Sequence, residues 1–329
     1  MSALRLVLAI AAVAALAACS RGDGWQRDSD EAWGTVYHIT YRSDAPLHDS
    51  VRAEMRRVEL SVSPFDPASR ISAFNAGRTD TLDAMLAMLV RESQRVCSIS
   101  GGAFDPTVMP LVDLWGFGPS GRGAEPSRQA LDSVLATVGI RDCRLRPGGV
   151  LERKHPATRL DFSAIAKGAG VDAVAAMLRR NGVSDYLVEI GGEVALGGLN
   201  PQRRPWHIQI DAPVDDPGGL RHERLRVIAP GSGRAVATSG NYRNYRTLAD
   251  GTRAGHIISP ATGRPVDTSV LSATVTAPTC MLADALATAA MGMQPDSALA
   301  MAARLPGCSI LLAVASADSL RILATPGFR

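Results

Sequence analysis

The stretch Leu160–Asp172, LDFSAIAKGAGVD, constrains this chain more than any other. An apolar, strand-like start passes through small residues into a helix, and backbone amides are exposed where such a transition occurs. An acid, a hydroxyl and a lysine sit at that transition, so the stretch is a candidate anion site. Lysine is scarce here: of 35 basic residues only Lys154 and Lys167 are lysine. Arginine serves everywhere else, which favours a position for Lys167 that wants a compact ammonium, as on a phosphate. The other reading, an ordinary lysine on the first turn of a surface helix, stays open on composition alone.

The N-terminus sets the compartment. After Arg5 come thirteen apolar residues, Leu6 to Ala18, and then Cys19. Thirteen is too few to span a hydrocarbon core of about 30 Å, so residues 1–18 are expected to be a signal peptide. Leu16-Ala17-Ala18-Cys19 resembles a bacterial lipobox, which makes Cys19 the expected lipidation site. The expected organisation is a signal peptide over 1–18, a polar tether over 19–32 and one globular unit over 33–329. Removing Arg5 with the signal takes the net charge from +3 to +2, and no basic run remains, which argues against nucleic acid as a partner. Cys97, Cys143, Cys280 and Cys308 are widely spaced with no CxxC pair; no zinc site is expected, and their pairing is left open.

Along the chain, GTVYHITYRS alternates as a first strand, and Leu47, Val51, Met55, Val58 and Val62 fall at helical spacing. Pro64 and Pro67 end that helix, leaving Phe65 as either a buried plug or a ring exposed for stacking, the plug being favoured. Helices are expected over about 81–98, from Pro126-Ser127 to Gly139, and from about Ala164 to Asn181-Gly182. A hairpin is expected around Pro147-Gly148-Gly149, and further strands at 186–190, 206–211, 225–228, 235–239 and 272–276. The pattern alone supports a mixed α/β chain forming one large unit.

In the helix expected from near Cys280, Asp284 and Thr288 are four apart and share a face. A carboxylate beside a hydroxyl suits a hard cation such as Mg²⁺, which takes few protein ligands. The alternative is an acid near a helix N-terminus and a packed threonine. There is no GxGxxG and no Walker motif, so neither a Rossmann nor a P-loop site applies.

Taken in order, Gly102-Ala103-Phe104-Asp105 with PLVDLWGFG, then LDFSAIAKGAGVD, IGGEV, AVATSGNYRNY, GHIISPATGRPV and CMLADALAT resemble the ApbE family of FAD:protein FMN transferases, from about Trp33 to about Val314. The resemblance implies an enzyme that splits the pyrophosphate of FAD, its substrate, with Mg²⁺, and moves FMN onto a threonine or serine hydroxyl of an acceptor protein, releasing AMP. It implies an α+β fold of largely antiparallel sheets with flanking helices, in two interlocked lobes with FAD in the cleft between them. The implied metal ligands are Asp284, Thr288 and the Ala164 carbonyl. The implied FAD contacts are Trp33, Phe65, Ala103, Phe104, Asp105, Asp161, Lys167 and Ile258. His256 is the candidate catalytic residue, as base or positioner, since a histidine of ordinary pKa, about 6.5, is largely neutral near pH 7.

The sequence departs from the family pattern where Trp33 replaces a methionine, Arg70 an acid, and Asn241 and Ser259 aspartates; these bear on flavin fit and acceptor choice. Expected partners are the flavin-bearing subunits of membrane redox complexes, and the expected location is the periplasmic face of the inner membrane of a Gram-negative-type bacterium, held by the lipid. Two alternatives are a Mg²⁺-dependent FAD pyrophosphatase giving FMN and AMP, and a flavin-binding lipoprotein without turnover.

Overall fold

The segment expected as the first strand is the second. In the computed structural model, which describes residues 24–118, 125–214, 223–240, 245–247, 253–266, 268–316 and 319–328, residues Trp25–Ala32 form β1. β1 pairs antiparallel with β2 (Thr35–Arg42), in register from Trp25↔Arg42 to Ala32↔Thr35. The tether expected over 19–32 is therefore corrected: from residue 25 onward it is sheet. The sequence WQRDSDEA reads as polar because β1 is an edge strand on which only Asp28 is buried, and such a strand needs no apolar face. Cys19 and the signal lie outside the described residues.

The chain then builds helices over the growing sheet. α1 (His48–Val62) buries Val51, Met55, Val58 and Val62, the expected apolar stripe. After Pro64 come α2 (Arg70–Asn75) and α3 (Ala84–Ile99), each started by a side-chain cap, Ser69 on Ser72 N–H and Asp83 on Leu86 N–H. α4 (Met109–Leu114) lies inside PLVDLWGFG, and α5 (Arg128–Leu135) ends four residues before Gly139. The longer helix expected to Gly139 fails because the Gly139 N–H is drawn off to Thr107 Oγ1 at 2.7 Å. β3 (Cys143–Leu145) and β4 (Leu151–Arg153) form the expected hairpin.

α6 (Ala166–Arg180) leads into β5 (Tyr186–Ile190) and β6 (Glu193–Gly197). β7 (Ile208–Asp211) and β8 (Arg224–Ile228) pair as a separate ribbon, followed by β9 (Ala235–Gly240). β10 (Tyr245–Thr247) pairs with β11 (Arg253–Gly255); Asn241 lies outside the described residues. β12 (Val270–Ala277), α7 (Cys280–Met291), α8 (Pro295–Ala303), β13 (Ser309–Ser316) and β14 (Ser319–Ala324) complete the described chain.

The main sheet has the order β1-β2-β5-β6-β9-β12-β13-β14, every neighbour antiparallel. The expected mixed α+β class with antiparallel sheet and helices is what the chain forms. One face carries α6 and α7; the other is closed by Val194, Leu196, Val236 and Leu311 packing on Ile210 and Ile228 of the ribbon. Buried on both sides, β6 exposes none of its five residues. One apolar cluster runs from Val58 and Leu86 through Leu286 to Ile310, so the helical and sheet portions share a core. Cys97, Cys143, Cys280 and Cys308 are all free thiols, three of them buried.

Candidate active site

The site begins where α6 meets α7. α6 is rich in small residues because its backbone must approach α7 closely: a Cβ at Gly168 would overlap the Cys280 carbonyl and stand 2.8 Å from Asp284 Cβ. With no side chain in the way, the Gly168 N–H donates to Asp284 Oδ2 at 2.9 Å. Asp172, one helical turn further on, accepts the N–H groups of Cys280 and Met281, each at 2.9 Å, and so caps α7 from α6. Thr279 caps the same end through Leu282 N–H. These contacts fix the two halves of the site against each other.

Asp284 is a carboxylate in a helix otherwise buried almost all round, and only 3% of it is exposed. Burial pushes its pKa up, opposed by Lys167 and the Gly168 N–H. Oδ2 is taken by Gly168, which leaves Oδ1 uncommitted among the described residues. Thr288 is one turn on, its Oγ1 3.2 Å from Ser239 Oγ on β9. Both line the same cleft as Ala164. Among the described residues no group of three or more His, Cys, Asp or Glu is arranged for a metal, so a cation here would be held by mixed oxygen donors. An acid kept costly by burial, with one free oxygen beside a hydroxyl, fits Mg²⁺, which retains waters and needs few protein ligands.

Beside this pair, Lys167 Nζ lies 2.6 Å from Glu193 Oε2. Glu193, on β6, is 2% exposed. Burial, with Asp284 adding to it and Lys167 opposing, pushes Glu193 up to about 8. Burial works against the Lys167 ammonium, but Glu193 and Asp284 outweigh it and hold its pKa above the ordinary lysine value. Lys167 thus lies on the first turn of α6, as one reading had it, but faces the cleft and a buried acid rather than open solvent. Glu193 was missed as a site residue, although a lone charge inside the apolar IGGEV was a signal for it.

The aromatic wall starts at Trp33. Trp33 and Gly34 form the two-residue turn between β1 and β2, with φ of 56° and 73°. Both are left-handed, as the twist of a tight hairpin demands, and Trp33 is strained there. Its ring is seated by α6, since a Cβ at Gly170 would overlap it. Phe65 is 71% exposed, which corrects the expectation of a buried plug: the two prolines fix the loop and the ring stands at the cleft mouth.

Asp105 and Asp161 line the cleft with their carboxylates largely occupied. Asp105 accepts from Thr107 N–H, Thr107 Oγ1 and Ile140 N–H, and burial still pushes its pKa up. Asp161 accepts from Ser163 N–H and Oγ. Ala103 and Phe104 continue the wall. The opposite side is the segment after β11: Ile258 is buried against Leu111 and Trp115, and Trp115 Nε1 donates to Gly263 O at 2.7 Å, pinning this segment to α4. His256 stands on it, its ring 6.5 Å from Phe117 and edge-on.

All twelve described residues singled out from the sequence line one cleft of about 960 Å³. That volume suits a dinucleotide-sized ligand. Cys19 lies outside the described residues.

The ApbE family model matches residues 33–312. An FAD:protein FMN transferase of Vibrio cholerae is 36% identical, over 98% of this chain and 97% of its own length. One of Escherichia coli K12 is 30% identical, over 88% of this chain and 83% of its own. The solved flavin transferase ApbE of Vibrio cholerae superposes with a TM-score of 0.81 at 35% identity, covering 92% of this chain and 97% of that one. The apo flavinyl transferase ApbE of Pseudomonas stutzeri gives 0.81 at 32%, covering 92% and 95%. By sequence and fold, this chain belongs to the ApbE family.

Proposed function

We propose that this chain is a Mg²⁺-dependent FAD:protein FMN transferase. The observation that carries the reading is the meeting of an oxygen-donor pair, Asp284 and Thr288, with Lys167 hydrogen-bonded to the buried Glu193 in one cleft walled by aromatic rings. Asp284 Oδ1, Thr288 Oγ1 and the Ala164 carbonyl would hold Mg²⁺, which when bound neutralises a pyrophosphate and makes its phosphorus easier to attack.

The chain's own groups supply the rest. Lys167 binds a phosphate oxygen as a point charge, held in place by Glu193. Trp33 and Phe65 stack the isoalloxazine, and Ile258 with Phe104 keeps water from its far side. The acceptor hydroxyl attacks the phosphorus of the FMN half: the new O–P bond forms, the P–O bond to AMP breaks, and the hydroxyl proton passes to His256. Holding both reactants in one cleft removes most of the entropic barrier to that encounter.

The proposed location rests on Cys19 for the lipid and on the acceptors for the choice of membrane. Acylation there would tether the enzyme to the outer face of the inner membrane, where flavin-bearing subunits of redox complexes offer threonine or serine acceptors. No helix among the described residues is long and apolar enough to cross a membrane. The activity is tested by following FAD with and without acceptor in Mg²⁺: transfer requires the acceptor, whereas FMN and AMP released at the same rate without it would mark a hydrolase.

A further inference from the structure

The sheet has two ends, and the cleft occupies only one. β1 runs from Trp25 to Ala32 towards the Trp33 turn, so the chain joins the fold at the end remote from the cleft, about 25 Å away at 3.3 Å per residue. Four residues separate Cys19 from Gly24, a span of five steps and a reach of at most about 17 Å when extended. An acyl chain on Cys19 would therefore keep this end within about 17 Å of the bilayer.

The chemistry of that end matches the position. Segments 24–27, 42–44, 184–186 and 197–207 meet there: Ser43 N–H donates to Gly24 O, and Arg42 N–H to Asp185 O. They carry Arg27, Arg42, Arg203 and Arg204 against Asp44 and Asp185. Asp185 is shared, 3.8 Å from Arg42 and 3.2 Å from Arg203, with both guanidinium groups more than half exposed. Arg204 is exposed with no acid beside it among the described residues. The turn that presents Arg203 and Arg204 is built rather than loose. Asn200 Oδ1 accepts from Gln202 and Arg204 N–H, its Nδ2 donates to Pro205 O, and Arg203 is held at a φ of 59°. Next to it, the half-buried rings of Trp25 and Trp206 stand edge-on, 6.1 Å apart. Arginines attract an anionic surface, and tryptophans settle at headgroup depth.

We propose that this end is a docking face for anionic phospholipid headgroups, built from Arg42, Arg203, Arg204, Trp25 and Trp206, which stands the catalytic cleft away from the bilayer. The proposal rests on the lipoprotein reading for the tether length only; the surface chemistry is independent of it.

The test uses the chain from residue 19 with Cys19→Ala, so that no lipid contributes. Vesicles of equal parts phosphatidylglycerol and phosphatidylcholine should sediment it and shift its tryptophan fluorescence to the blue, and pure phosphatidylcholine vesicles should do neither. Replacing Arg42, Arg203 and Arg204 together by Gln should lower the anionic partition on the order of a hundredfold, with a native circular-dichroism spectrum and unchanged FMN transfer to a soluble acceptor. Arg128→Gln, at an exposed site on α5, is the charge control. Equal binding to both vesicle types, binding untouched by the triple variant, or an equal loss in the control would overturn the proposal. Failure of wild-type Cys19 to incorporate labelled palmitate would remove the anchor instead, and leaves the vesicle result standing by itself.

Discussion

The Gly168 N–H donates to Asp284 Oδ2 at 2.9 Å, joining residues 116 apart in sequence. The contact exists because glycine lets α6 touch α7. In Gly168→Ala the methyl group would overlap the Cys280 carbonyl, which is helix backbone and cannot step aside. Overpacking of this kind costs about 1–3 kcal/mol. A fall in Tm of several degrees and a loss of FMN transfer of at least about tenfold are expected, since Asp284 moves with α7. A variant with wild-type Tm and rate would mean the two helices separate without consequence.

Glu193 makes stability depend on pH in a stated direction. In the folded protein burial pushes its pKa up from 4.5 to about 8, so through this window the folded state holds a proton that the unfolded state has lost. Its contribution is fully present below the unfolded value and is lost as pH rises through the folded one. Denaturant titrations of chelator-treated protein near pH 5.5 and near pH 7.5 should show wild type losing more stability than Glu193→Gln, with an upper bound of about 1.4 kcal/mol per pH unit on the difference. Parallel pH profiles would remove Glu193 as the cause.

Trp33 combines a strained backbone with a useful ring. Trp33→Asn gives the turn the Asn-Gly pair that two left-handed residues prefer, relieving about 1–2 kcal/mol. The lost contact of the ring with α6 costs a similar amount, so Tm should move little. The Kd for FAD should rise about tenfold, because a stacking surface has gone. Fluorescence quenching of FAD measures it; unchanged affinity would place the flavin elsewhere.

What could be read from the sequence was set by locality. The Asp284–Thr288 pair and the small-residue character of α6 are local patterns, and ordered motifs brought in Ala103, Phe104 and Ile258. Phe65 was read as buried because its prolines reveal a fixed loop but not which way the ring faces. β1 was read as a tether because an edge strand with one buried side chain carries no alternation to detect. Glu193 and Asp172 escaped because their roles are tertiary: one is an acid under a lysine from another element, the other caps a helix 108 residues away. Nothing local marks Asp172 as a cap, whereas the single charge in the apolar IGGEV is the one local sign of Glu193.

The most direct measurement is the intact mass of a purified acceptor after incubation with this chain, FAD and Mg²⁺, run beside Asp284→Ala. Wild type should add one FMN to a single threonine or serine and release AMP in equal amount. Asp284→Ala should leave the acceptor unmodified while keeping a wild-type fold by circular dichroism, and should lose Mg²⁺ binding by calorimetry. An acceptor of unchanged mass with wild type, or full labelling by Asp284→Ala, would contradict a flavin transferase built on this carboxylate.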